Sequence, residues 1–91
     1  MTEMRRLIAG NWKMNGTGVS LDEAKALAEA LTSEPAVLRV ALCPPATLIE
    51  RLARTVEGAA VEVGGQDCHG ETSGAFTGDV SAGMLADAGA R

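Results

Sequence analysis

Apolar positions along this 91-residue chain fall into two spacings, and their succession orders the elements. Arg6-Leu7-Ile8-Ala9-Gly10-Asn11 is apolar without alternation, which predicts a short parallel strand buried on both faces. Asn15-Gly16-Thr17-Gly18 reads as a loop. Ser20 opens a predicted helix with Glu23 three residues on, the Ser-x-x-Glu capping box. Leu21, Ala24, Leu27, Ala28 and Leu31 form one stripe at helical spacing, and Pro35 lies beyond its end. Val37 to Cys43 is a second predicted strand, stopped by Pro44-Pro45. Leu48, Ile49, Leu52, Ala53 and Val56 give a second helical stripe, ended by Gly58. Ala60 to Gly65 is a third predicted strand, and a long Gly-rich segment runs from Gln66 to Val80. Ser81 caps a short third helix carrying Met84, Leu85 and Ala88, with Gly89 as its stop.

Strand–helix alternation three times over predicts an α/β fold, with a parallel sheet and right-handed crossovers. Nothing divides residues 1–91, so they are read as a single domain. An apolar share of 46% against 22% charged argues against disorder. No apolar run approaches the ~18 residues of a membrane span, and the stretch after Arg6 is too short for a signal-peptide core. A net charge of −4, with Trp12 and Phe76 as the aromatic residues, argues against a nucleic-acid partner. Cys43 and Cys68 make no disulfide framework, so the expected compartment is the reducing cytoplasm.

Ligands of parallel α/β sheets bind at the carboxyl ends of the strands. The first strand ends in Asn11-Trp12-Lys13-Met14-Asn15. Counting by two places Asn11 and Lys13 on one face, where an amide and an ammonium could hold an anionic substrate. The same pentapeptide also reads as a polar turn with a solvated lysine. Gly74-Ala75-Phe76-Thr77-Gly78-Asp79 suggests a tight loop of specific shape. Its Phe76 either inserts into a partner or folds back on its own domain. Cys43, Cys68 and His69 are the parts of a metal site or a Cys-His pair. However, adjacent Cys-His is poor chelate spacing, and neighbours on a strand point to opposite faces. No phosphate-cradling GxGxxG or GxxxxGK[ST] pattern occurs.

Asn11-Trp12-Lys13-Met14-Asn15 and Gly74-Ala75-Phe76-Thr77-Gly78-Asp79, in these places, resemble the triosephosphate isomerase family. Cys43-Pro44-Pro45, Gly65-Gln66-Asp67-Cys68 and Ser81-Ala82-Gly83-Met84-Leu85 follow in the family's order. The resemblance covers nearly the whole chain. It implies the first three βα units of a (β/α)8 barrel, a partial TIM-barrel domain. It further implies a glycolytic aldose–ketose isomerase of phosphorylated trioses, active without cofactor or metal as a homodimer. By the family pattern Lys13 and Asn11 bind substrate and stabilise negative charge. Gly74, Phe76, Thr77, Gly78 and Asp79, with Met14, form the subunit interface, and Thr77 approaches the partner's Asn11. Asp79 stands where a glutamate is more usual, which puts the family's inter-subunit ion pair in doubt. The family's histidine electrophile and glutamate base belong to later units, so the 91 residues alone are expected to be inactive. The alternative is an inert folding or assembly module. Three strands without the rest of a barrel would leave a bare inner face of roughly 290 Å2, so self-association is expected too.

Overall fold

The computed structural model describes residues 4–33 and 37–91; Pro35, expected past the first helix, lies outside them. Three strands, β1 (Arg6–Asn11), β2 (Leu38–Cys43) and β3 (Glu62–Val63), alternate with three helices, α1 (Leu21–Ala30), α2 (Ile49–Thr55) and α3 (Ala82–Ala88). The sheet is parallel, in the order β1-β2-β3. Its register pairs Arg6 with Leu38 through to Asn11 with Cys43, and Ala41 with Glu62.

The core lies between one face of the sheet and the helices. Ala24 and Ala28 of α1, Ile49 and Leu52 of α2, Val56, Leu42 of β2, and Val61 and Val63 are buried together. Leu85 and Ala88 of α3 pack against this cluster. These are the residues of the helical stripes, so period 3.6 in the sequence became one covered face. Alternation along the strands turns Leu7, Ala9, Asn11, Arg39, Ala41, Cys43 and Glu62 to the other face. There Arg39 forks onto Glu62 across the sheet, with Nε donating at 2.9 Å and Nη2 at 2.8 Å.

Three local expectations change. β1 is not buried on both faces: Leu7 and Ile8 are 52% and 53% exposed. As an end strand of this sheet it has a hydrogen-bonded neighbour on one side, β2. Ser20 is not an N-cap for Glu23. Its backbone is already helical (φ −67°, ψ −17°), and its hydroxyl accepts from Thr17 N at 3.0 Å. A 3-10 turn over Gly18–Ser20 thus leads into α1. The third strand shrinks from six expected residues to Glu62–Val63, although Gly64 N still donates to the Leu42 carbonyl at 2.9 Å.

The third helix keeps both of its expected ends. Ser81 is extended and its Oγ accepts from Met84 N, while Gly89 adopts φ +114°, a left-handed stop that favours glycine.

Candidate functional site at the carboxyl end of the sheet

β1 ends at Asn11, and the chain turns sharply there. The Asn11 side chain makes the turn itself: its Oδ1 accepts from Lys13 N at 2.8 Å. Such a bond to the backbone two residues on is the local habit of asparagine. Lys13 then takes φ +56°, the one non-glycine positive φ among the described residues. That conformation costs a side-chain-bearing residue about 1–2 kcal/mol. Such strain persists where surrounding bonds over-determine it, and it concentrates at functional sites.

The bonds that hold Lys13 come from both sides. Asn11 Oδ1 takes its amide hydrogen, and Gln66 Nε2 donates to its carbonyl at 2.8 Å. The same Gln66 nitrogen reaches the Cys43 carbonyl at 2.9 Å and Asn11 Oδ1 at 3.3 Å. Asn11 Oδ1 therefore faces two donors, which fixes the orientation of its amide. The Nδ2 group is left to donate elsewhere. One glutamine thus ties the ends of β1 and β2 together just after β3. Trp12 N, also on the Cys43 carbonyl at 3.0 Å, extends the pairing. Asn15 Nδ2 caps the Trp12 carbonyl at 2.9 Å.

Asn11 and Lys13 are both exposed, and Lys13 belongs to no salt bridge among the described residues. The arrangement is an amide and a free ammonium at a strand end, on a backbone pinned by side chains. It can receive an anion. Counting by two does not carry from Asn11 to Lys13, because the strand stops between them and the left-handed residue re-aims the side chain. The two residues meet instead through the Asn11 Oδ1 bond to Lys13 N, and sequence reasoning missed Gln66 as their tie. The signal available was a long amide side chain directly after the third strand.

The loop from Gln66 to Val80 is anchored at its base. His69 N donates to the Val80 carbonyl at 2.8 Å, and His69 forms a parallel bridge with Ser81. Phe76 folds back rather than standing free. Its ring stacks on His69, centroids 3.9 Å apart, while His69 Nδ1 accepts from Glu71 N at 2.9 Å. Asp79 N donates to the Phe76 carbonyl at 3.0 Å, with Gly78 at φ +93° between them. Thr77 and Gly78 are therefore the central pair of a type II turn, in which the second position demands positive φ. Gly74 is needed for a different reason: a Cβ there would sit 2.6 Å from the Phe76 ring. Phe76 remains 44% exposed and Met14 is 95% exposed. No hydrogen bond joins Thr77 to Asn11 or Lys13 among the described residues. Gly74, Phe76, Thr77, Gly78 and Asp79 thus form a shaped loop with a partly exposed apolar ring, whereas Met14 lies at the strand end beside Lys13. Cys43 is half-buried beneath Gly64, and Cys68 is exposed.

The triosephosphate isomerase family model matches residues 6–91. The chain belongs to the triosephosphate isomerase family. It is 65% identical over 88 residues to the triosephosphate isomerase of Caulobacter vibrioides, covering 97% of this chain and 35% of that protein. It is 58% identical to the enzyme of Ruegeria pomeroyi, covering 94% and 34%. The crystal structure of triosephosphate isomerase from Bartonella henselae superposes with a TM-score of 0.88 at 46% identity, covering 96% of this chain and 35% of that one. The chain therefore spans about a third of the length of these relatives. Its three parallel strands with their helices are the first βα units of the TIM barrel. No helix among the described residues is long and apolar enough to cross a membrane.

Proposed function

We propose that this chain supplies the Asn11–Lys13 part of a triosephosphate isomerase active site. The reaction interconverts dihydroxyacetone phosphate and glyceraldehyde 3-phosphate in the cytoplasm, without a cofactor. The observation that carries the reading is the strand end where Lys13 is held in left-handed backbone by Asn11 and Gln66. Moving a proton between adjacent carbons builds negative charge on an enediolate oxygen, and the phosphate of the substrate is already anionic. A fixed cation and a fixed amide donor beside that charge stabilise it without reorganising in the transition state. Asn11 offers its Nδ2 for this purpose, because its Oδ1 is committed to the backbone. The proton-transferring base and the electrophile come from other βα units, as the family resemblance implies. The loop carrying Gly74, Phe76, Thr77, Gly78 and Asp79, together with Met14, serves as the contact of a homodimer. Its partly exposed apolar ring supports that role.

A coupled isomerase assay tests the reading. The 91 residues alone are expected to show no measurable turnover, since acid–base groups of this kind contribute about 10²–10⁴-fold each. Joined to the remaining two thirds of the Caulobacter relative, the same residues are expected to turn over triose phosphate. Lys13→Ala in that chimera is expected to abolish activity without lowering its melting temperature. An active Lys13→Ala chimera would sink the proposal.

A further inference from the structure

We infer that Gln66 is a positioning residue for the isomerase site, acting through the backbone of Lys13; the inference rests on the reading of Lys13 given above. The chain folds a lysine, not a glycine, into φ +56° at the site. Two side chains bond both polar backbone groups of that residue: Asn11 Oδ1 accepts its N–H and Gln66 Nε2 donates to its C=O. The two clamps are not independent, because Gln66 Nε2 also reaches Asn11 Oδ1 and the Cys43 carbonyl. One primary amide, with two hydrogens and three facing oxygens, therefore sets the Lys13 carbonyl, the Asn11 amide orientation and the spacing of β1 from β2. Gln66 need not touch substrate to act. Removing its donors leaves Lys13 free to relax toward negative φ, which swings the ammonium away from its aim. A small misplacement of a group at the reacting centre is enough to cost about a hundredfold in rate.

The donor chemistry makes the inference specific. An apolar side chain of similar length fills the same space but gives no hydrogen bond. A carboxyl group offers one hydrogen when protonated and none when ionised, when it also turns a negative charge toward three oxygens. The experiment uses the chimera with the rest of the Caulobacter relative. Gln66→Met is expected to lower kcat about ten- to a hundredfold with a smaller change in KM, and a crystal structure of the variant is expected to show Lys13 at negative φ. Gln66→Glu is expected to retain more activity than Gln66→Met at low pH and to lose that advantage as pH rises and its carboxyl ionises. A merely structural role would not give that pH profile. Should Gln66→Met fail to fold, the pH profile of Gln66→Glu against wild type decides alone. Wild-type kcat in Gln66→Met, or a Gln66→Glu profile that parallels wild type, overturns the inference while an inactive Lys13→Ala leaves the site reading intact. An active Lys13→Ala overturns both.

Discussion

Lys13 sits just past the end of a strand with its backbone in a region that disfavours side chains, and the residues around it explain why it stays there. Asn11, Gln66 and the Lys13 peptide bond form one polar unit, so a change at one member is felt at the others. A second polar unit, Arg39 with Glu62, sits on the same face nearer the amino ends of the strands. The fork from Arg39 holds the Glu62 carboxyl below the usual glutamate range, with lesser help from the charges of Arg39, Arg91 and Arg5 and against a burial effect that raises it. Stability from this pair is therefore complete above the ordinary glutamate range and is lost as pH falls through the lowered value. Glu62→Gln is expected to melt below wild type at pH 7, with the gap closing as pH falls through the lowered Glu62 value. Both side chains are partly exposed, at 45% and 30%, so added salt should shrink the difference as well. A difference unchanged across that pH range would show that the carboxylate charge is irrelevant.

At the scale of elements, the helices follow from local chemistry and the long loop does not. α3 is seven residues long, too short to form alone in water, so its ends matter. Ser81→Ala removes the acceptor for Met84 N and is expected to cost about 1 kcal/mol, read as a lower urea midpoint with an unchanged slope. Gly89→Ala is expected to cost more. The new Cβ would meet Ala53 Cβ at 2.5 Å, on a backbone at φ +114°. Leu52, fully buried between α2 and the sheet, is the larger test of the core. Leu52→Ala should cost about 2–5 kcal/mol. In the loop, the His69–Phe76 stack replaces regular structure. His69→Ala is expected to raise the mobility of residues 70–78 in nitrogen relaxation while leaving the three helices unchanged.

The whole molecule is a slab, with extents of 46 × 39 × 20 Å and a radius of gyration of 14.0 Å. A compact chain of 91 residues would have a radius near ~12 Å. The accessible surface is 6724 Å2, against roughly 5,000 Å2 for a compact globule of 9.3 kDa. The excess is several times the bare face expected from strand spacing alone, because β1 is exposed on both faces and most of the 66–80 loop is exposed. Leu7, Ile8, Val37 and Leu38 are all more than a third exposed, around a β1 edge whose backbone groups are open to pairing. Expressed by itself, the 91-residue chain is expected to self-associate at micromolar concentration. Sedimentation showing a monomer with a concentration-independent, cooperative melt would contradict this.

Much of this was legible in the chain. The helical stripes from Leu21 to Leu31 and from Leu48 to Val56 became the covered face, since period 3.6 leaves a helix one way to hide its apolar residues. Ser81 and Gly89 marked the ends of α3 because capping is settled within a few residues. Asn11, Lys13 and the Phe76–Thr77–Gly78–Asp79 turn were legible as candidate chemistry, from residue type and position after strands. The rest depended on distant partners. Burial of β1 hinges on what lies beside it, so its apolar run predicted two covers that this sheet does not provide. Glu62 lies on the end strand β3, and only the pairing of β2 with β3 sets it against Arg39, twenty-three positions away. Lys13 was readable as a cation, but its left-handed backbone is held by Gln66, fifty-three positions on. Asn11 supplies the local half of the hold at φ +56°; only the folded sheet brings the Gln66 amide that completes it.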